Sequence, residues 1–319
     1  MSRVLVTGAA GFIGSHLCEA LLARGDDVLG VDAFTENYSP GRKRANLTDA
    51  LAAGLEFRRL DLTCDGLDPV LRGIDVVYHL AAQPGVRSSW GDDFDIYARR
   101  NLVATQRLLE AALQADLARF VFASSSSVYG HVRGRPARES DRPAPVSPYG
   151  LTKAACEELV AVYRRVHGLS AVSLRYFTAY GPRQRPDMAF ASFIRSVLSG
   201  RPLPILGDGH QTREFTYVGD AVAATIAAAE LGTDPVYNIG GNTSSTVLEA
   251  IALIEQLVNR SALISYSPSA RGDAYRTSAD LTAATRDLGY QPAVSLRDGL
   301  ALQIKAAMQE PVEQAEAVA

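Results

Sequence analysis

Val4-Leu-Val-Thr-Gly8-Ala-Ala-Gly11-Phe-Ile-Gly14 joins an apolar run to a helical pattern through three glycines spaced three residues apart. Gly8 suits a tight turn, Gly11 lets the backbone approach a pyrophosphate, and Gly14 permits a helix to pack closely on its strand. The helix that begins there offers unpaired N–H groups and a positive dipole end to phosphates. A glycine triplet alone is a weak signal. Its strand–turn–helix setting gives it weight.

Outward from this turn, short apolar runs at 4–6, 28–31, 55–60, 76–80, 120–123 and 171–174 alternate with helical patterns at 12–23, 97–113 and 154–166. Continuous Val/Leu/Ile/Phe runs suit strands covered on both faces. Strand–helix alternation then predicts an α/β fold, a Rossmann-type doubly wound parallel sheet. After residue 178 Gly and Pro become frequent, as in Gly181-Pro182 and Arg201-Pro202-Leu203-Pro204. This texture predicts a smaller C-terminal substrate-binding lobe over 179–310, beside a dinucleotide domain over 1–178. Segments around 213–240 are expected to return to that domain, with runs 215–218 and 236–239 as candidate strands of its sheet. Residues 311–319 read as a loose tail.

Composition narrows the function. Over 319 residues, 47% are hydrophobic, 21% are charged and the net charge is -3. A large core can form, and neither nucleic acid nor an anionic membrane is an electrostatically favoured partner. Cys18, Cys64 and Cys156 stand far apart in no metal or disulfide pattern, so reduced thiols in a cytoplasmic protein and no metal are expected. Neither a leader nor an apolar run of membrane-spanning length is evident.

Asp32 follows the second strand, ~20 residues past the glycine turn, where a carboxylate can accept bonds from adenosine ribose hydroxyls. That favours NAD, while Arg42, Lys43 and Arg44 keep the 2′-phosphorylated form open. Asp61-Leu62 can border the adenine or form an ordinary turn, and Ala81-Ala82 are small enough for a cofactor to lie against them. Tyr149-Gly-Leu-Thr-Lys153 places a phenol and an ammonium on one helix face, a turn apart. A free tyrosine, with a pKa near ~10, is a poor base at neutral pH. A neighbouring cation and a bound oxidised nicotinamide favour the phenolate, which can then take a proton from a substrate hydroxyl. The run Ser124-Ser125-Ser126-Ser127 leaves the fifth strand at its carboxyl end, the edge where open α/β sheets bind ligands. Ser124 is the member best suited to a merely structural exit.

With these motifs the chain resembles the extended short-chain dehydrogenase/reductase family of nucleotide-sugar epimerases and dehydratases, over about residues 3–305. The resemblance implies a catalytic triad of Ser125, Tyr149 and Lys153. It implies NAD contacts from Gly8, Gly11, Phe12, Ile13, Gly14, Asp32 and Lys43, then from Asp61, Leu62, Leu80, Ala81, Ala82 and Gln83, and from Asn101, Ser124, Tyr149, Lys153 and Tyr176. Family dehydratases carry an acidic pair where Ser126 and Ser127 stand, and glucuronate decarboxylases a glutamate at Ser127, so those reactions are disfavoured.

The remaining features resemble UDP-glucuronic acid 4-epimerases: His79-Leu-Ala-Ala-Gln83-Pro-Gly-Val-Arg87, Arg175-Tyr-Phe177-Thr178 and Arg185-Pro-Asp-Met-Ala189. Galactose-type epimerases usually carry asparagine at Thr178; a UDP-glucose or N-acetyl 4-epimerase is the alternative. Pro84 replaces a more usual alanine, and Arg183-Gln184 a Trp-Gly or Ala-Gly pair. The implied substrate contacts are Pro84, Gly85, Val86 and Arg87; Ser125, Ser126, Ser127 and Tyr149; Phe177, Thr178 and Arg185; and Arg213 and Arg271 on the UDP. Arginine suits a diphosphate because its fork donates charge-assisted bonds in pairs. The resemblance also implies a homodimer through helices near 97–113 and 151–166.

Overall fold

The computed structural model describes residues 2–132, 134–269 and 271–309; the tail expected over 311–319 lies outside them. Strands β1 (Arg3–Thr7), β2 (Asp27–Asp32), β3 (Glu56–Arg59), β4 (Val76–His79), β5 (Arg119–Ser125) and β6 (Ala171–Tyr176) join Val236–Ile239 in one seven-stranded sheet. Its spatial order is Val236–Ile239, β6, β5, β4, β1, β2, β3, and every pairing is parallel. The order reverses between β1 and β4, which opens a crevice at the carboxyl ends of these strands. The glycine turn after β1 lies at that crevice.

Central strands are apolar on both faces because helices cover both. Leu17, Cys18 and Leu21 of helix α1 (Phe12–Ala23) pack with Val4, Val6, Val121 and Val172 on one side. Leu5, Val77, Phe120 and Phe122 meet Leu108, Leu109 and Val160 on the other. The β3 segment is half-exposed and shorter than the run 55–60, as an outermost strand needs cover on only part of its surface.

Two expectations change in the folded chain. Val236–Ile239 joins the main sheet beside β6, but the run 215–218 does not. Its Thr216 and Tyr217 pair with Ala179 and Tyr180 in a separate two-stranded ladder, and Phe215 packs into a different core. The helix expected over 97–113 starts at Phe94 and contains a π-helical stretch, Ala98–Val103, before Ala104–Leu113 continues it. Propensity carries no signal for that widened turn.

A separate core gathers Tyr180, Phe190, Phe193, Ile194, Leu203, Ile205, Ile251, Ile254, Leu300 and Ile304. It is built from helices Ala189–Ser199, Val247–Val258 and Leu296–Gln309 with the parallel pair Pro202–Leu206 and Leu263–Ser267. Helix Val218–Leu231 lies between the two parts in sequence, yet Ala221, Val222, Ala224 and Ala228 belong to the core under the main sheet.

Candidate active site

The turn after β1 is a cradle that only glycine fits. Gly8 has φ +71°, and a Cβ there would stand 2.8 Å from the Ala81 nitrogen. A Cβ on Gly14 would collide with the Gly8 carbonyl, so α1 sits tight on its strand. The α1 N-terminus has no side-chain cap and no acidic residue in its first turn. Its N–H groups and dipole are thus directed at the crevice, which suits a phosphate.

One cleft runs from this turn to the serine strand. Gly8, Gly11, Phe12, Ile13, Gly14, Asp32, Lys43, Asp61, Leu62, Leu80, Ala81, Ala82, Ser124, Tyr149, Lys153 and Tyr176 all line it, with Pro84 and Arg185. Asp32 ends β2 with its carboxylate accepting from Phe34 N at 2.8 Å and Ala10 N at 3.2 Å. Burial pushes its carboxyl upward, opposed by those N–H groups and by Lys43. Lys43 donates to Thr35 O (2.7 Å), Thr35 Oγ1 (3.1 Å) and Asn37 Oδ1 (2.8 Å), so all three of its protons brace the loop after β2. Asp61 lines the cleft, yet one of its oxygens caps the following turn through Thr63 N and Oγ1.

Gln83 and Asn101 do not line the cleft itself. Asn101 is buried and bridges Gln83 N, Gln83 O and Thr152 Oγ1, which clamps the chain after β4 to helix Pro148–His167. With its oxygen and amide both engaged, the Asn101 side chain works as a bracket. The Ser124 hydroxyl likewise donates inward, to buried Glu157 Oε1.

At the catalytic end, Ser147 caps helix Pro148–His167 by accepting from Gly150 N at 3.1 Å, with Pro148 in its first turn. Tyr149 and Lys153 follow one turn apart. Lys153 is buried, and its Nζ donates to Ala123 O at 2.8 Å and lies 4.9 Å over the Phe122 ring. Burial pulls its ammonium down to about 8. Burial raises the Tyr149 phenol, while a hydrogen bond with Ser125 and then the charge of Arg185 act to lower it. The Lys153 ammonium, one helical turn on, is turned onto a strand carbonyl.

Ser125 Oγ accepts from Ser127 N and donates to Ser127 Oγ, both at 3.1 Å, forming the first turn of a short 3-10 segment. Ser126 and Ser127 are half-buried beside it. Thr178 is also half-buried, whereas the Phe177 ring packs into a small core with Val128, Tyr129 and Ala137. Arg185 reaches the cleft with its guanidinium forked onto Asp187 at 2.9 and 3.0 Å.

A second group of arginines gathers at the smaller lobe. Arg87 pairs with Asp273 at 3.3 Å, and the same Asp273 carboxylate acts on Arg213. Burial pushes the Arg213 guanidinium down, Asp273 opposes that, and Arg87 adds to it. Arg271 is exposed on the adjoining segment. The Tyr97 hydroxyl shapes the loop that carries Pro84, Gly85, Val86 and Arg87. It bonds Ser88 Oγ at 2.6 Å and donates toward the Pro84 and Gly85 carbonyls at 3.0 and 2.9 Å. Its ring also meets Tyr149 edge-on, centroids 6.3 Å apart.

Sequence reasoning did not find Tyr97, Glu157 or the meaning of Arg183-Gln184. Arg183 pairs with Glu19 of α1 and donates to Asn46 O. Gln184 is buried and bonds Ala179 O, Ala191 N and Gln303 Nε2. Together they pin the loop bearing Arg185 between the two cores. Local spacing carries no trace of such long-range ties. Among the described residues no group of His, Cys, Asp and Glu suits a metal ion, and no helix is long and apolar enough to cross a membrane.

Comparison with known proteins gives this geometry a setting. The family model described as NAD dependent epimerase/dehydratase family matches residues 4–240. The uncharacterized UDP-glucose epimerase YtcB of Bacillus subtilis is 46% identical over 95% of this chain and 96% of its own. The UDP-glucuronate 4-epimerase of Thermodesulfobacterium geofontis is 35% identical over 94% of each. A solved structure of UDP-glucuronic acid 4-epimerase from Bacillus cereus, in complex with UDP-glucuronic acid and NAD, superposes with a TM-score of 0.94. It is 44% identical and covers 96% of this chain and 99% of that one.

Proposed function

Since this chain belongs to the NAD dependent epimerase/dehydratase family, we propose that it is an isomerase, a 4-epimerase interconverting UDP-glucuronic acid and UDP-galacturonic acid with NAD held in its cleft. The observation that carries this reading is the convergence of Ser125, Tyr149 and Arg185, the triad hydroxyls and a cation, at one end of a cleft whose other end is the glycine cradle. The likeness to the Bacillus cereus epimerase bound to UDP-glucuronic acid and NAD supports it.

The residues present fit a dinucleotide. The Gly8–Gly14 cradle and α1 N-terminus suit its pyrophosphate, Asp32 its adenosine ribose, and Lys153 and Tyr176 border the nicotinamide end. NAD would supply the reversible hydride acceptor for carbon 4. Tyr149 takes the proton of the carbon 4 hydroxyl as the 4-keto sugar forms, and returns it after the sugar has presented its other face. Ser125 holds the reacting oxygen and supports the phenolate. Arg87, Arg213 and Arg271 anchor UDP in the smaller lobe over 179–310, so the sugar can turn without leaving. Ser126, Ser127 and Thr178 hold the carboxylate near the carbonyl plane, because the 4-keto intermediate is a β-keto acid that loses carbon dioxide when that bond stands perpendicular to the plane. Arg185 closes the pocket around it.

A UDP-glucose 4-epimerase is the second reading, favoured by the likeness to YtcB. Purified protein incubated with UDP-glucuronic acid and no added cofactor, followed by NMR of the anomeric protons, separates them. UDP-galacturonic acid should appear; faster turnover of UDP-glucose would overturn the uronate preference.

Free Cys18, Cys64 and Cys156 favour a reducing, cytoplasmic setting. Leu151, Val162 and Val166 are exposed along helix Pro148–His167, and Ile96 and Val103 along the neighbouring one. Such an apolar face on two adjacent helices suits a homodimer with a four-helix contact. A Val162→Lys, Val166→Lys variant should then be monomeric by light scattering, and an unchanged mass would reject this surface.

A further inference from the structure

Four cationic side chains line the cofactor cleft among the described residues: Lys43, Arg100, Lys153 and Arg185. Three of them are committed. Lys43 places its protons on Thr35 and Asn37, Lys153 donates to Ala123 O, and Arg185 is forked onto Asp187. Arg100 differs. Its one hydrogen bond is from Nη1 to the neutral Gln83 Oε1 at 2.8 Å, and no carboxylate lies within ion-pair distance of it among the described residues. A guanidinium carries five N–H donors, so most of the donor capacity of this cleft-lining side chain has no partner among the described residues.

The cradle alone leaves a charge deficit. A helix N-terminus presents roughly half an elementary positive charge. A dinucleotide pyrophosphate carries two negative charges into a cleft that excludes much of the water, where an uncompensated charge is expensive. A full cation beside the cradle would close that gap. The field of Arg100 already reaches Lys43, whose ammonium it helps push down, so the two share one part of the cleft.

The local fold explains why Arg100 is there. It sits in the π-helical stretch Ala98–Val103, next to Asn101, whose side chain turns inward to clamp Gln83 and Thr152. The widened turn lets two consecutive residues serve the same loop: Asn101 grips the backbone of Gln83, and Arg100 grips its side chain. Such insertions in helices are often found where a side chain must be re-aimed at a functional site.

We propose that Arg100 is the cofactor-binding cation of this cleft, meeting the pyrophosphate of NAD opposite the Gly8–Gly14 cradle, with Gln83 holding its guanidinium in place. This rests on the reading that the chain binds NAD.

The test uses the whole protein stripped of nucleotide and titrated calorimetrically with NAD, and separately with UDP, at low and high salt. NAD binding by the wild type upholds the cofactor reading; its absence overturns that reading independently of Arg100. Given binding, Arg100→Gln should weaken NAD at least tenfold and flatten its salt dependence, because a screened charge contact is gone. UDP affinity should stay within twofold, and Arg100→Lys should recover part of the loss. NAD binding by Arg100→Gln within twofold of wild type would overturn the proposal. So would a loss with unchanged salt dependence and no recovery in Arg100→Lys, which would mark a purely structural role.

Discussion

Arg175 meets Glu157 through both edges of its guanidinium, Nη2 to Oε2 at 2.7 Å and Nε to Oε1 at 3.0 Å, with both side chains buried. The pair continues to Tyr129, whose hydroxyl accepts from Arg175 Nη1 at 2.8 Å and donates to Asn238 Oδ1 at 2.6 Å. Through Ser124 it also touches the strand that presents Ser125. One buried polar network thus underlies the serine strand and ties it to the helix of Tyr149 and Lys153.

Breaking one partner of this pair leaves the other charged and unpaired in the core, a loss of about 3–5 kcal/mol. Glu157→Leu and Arg175→Met should each lower the urea midpoint by that equivalent, while the two together should lose less than the sum. Equal melting of Glu157→Leu and wild type would show the network to be idle.

Tyr149→Phe removes the hydroxyl proposed to react and keeps the ring that packs against Tyr97. Interconversion should fall by about 10²–10⁴-fold, the usual contribution of a positioned acid–base group, with UDP affinity little changed. Turnover at wild-type rate would remove the phenol from the chemistry.

Thr178→Val and Ser127→Ala should each raise the share of UDP-pentose formed from UDP-glucuronic acid, since the restraint on the carboxylate is loosened. Product ratios by NMR report it directly. An unchanged ratio in both variants would refute the restraint.

His79 is buried between two threonines, 2.8 Å from Thr7 Oγ1 and 3.0 Å from Thr105 Oγ1. Thr7 Oγ1 also accepts from Ala81 N, and each threonine hydroxyl shares a hydrogen bond with one ring nitrogen of His79. Burial, and then the charge of Lys153, hold the imidazole down at about 3, against an ordinary 6.5. A depressed histidine stays neutral in the folded chain while the unfolded chain takes up a proton. Its contribution to stability is therefore complete above pH 6.5 and is lost as pH falls toward 3, by about 3 kcal/mol at pH 4. Denaturant titrations at pH 7 and pH 4 should show a smaller loss for His79→Gln than for wild type. Identical losses would show that His79 does not carry this dependence.

The glycine turn, the strand runs and the Tyr149–Lys153 pair were legible because each is written in neighbouring residues: one turn, one period, one helical repeat. The cleft residues around Asp32, Ala81 and Tyr149 followed from that frame. What escaped depends on distance in sequence. Glu157 finds Arg175 and Ser124 only after three elements pack together, and Tyr97 reaches back across a loop to Pro84. Run 215–218 looked like a sheet strand because apolar content alone does not say which of two cores will receive it. The Asn101 clamp on Gln83 and Thr152 is likewise a tie that no local pattern reveals.

Arg183 occupies the left-handed region at φ +62°, a conformation that disfavours any side chain by about 1–2 kcal/mol. The chain tolerates it because the guanidinium reaches Glu19 on α1 and the Asn46 carbonyl. Arg185, two residues on, is thereby moored to the half of the molecule that bears the glycine cradle. When the two halves move relative to one another, this guanidinium therefore travels with the floor of the cleft and keeps its distance from the glycine turn.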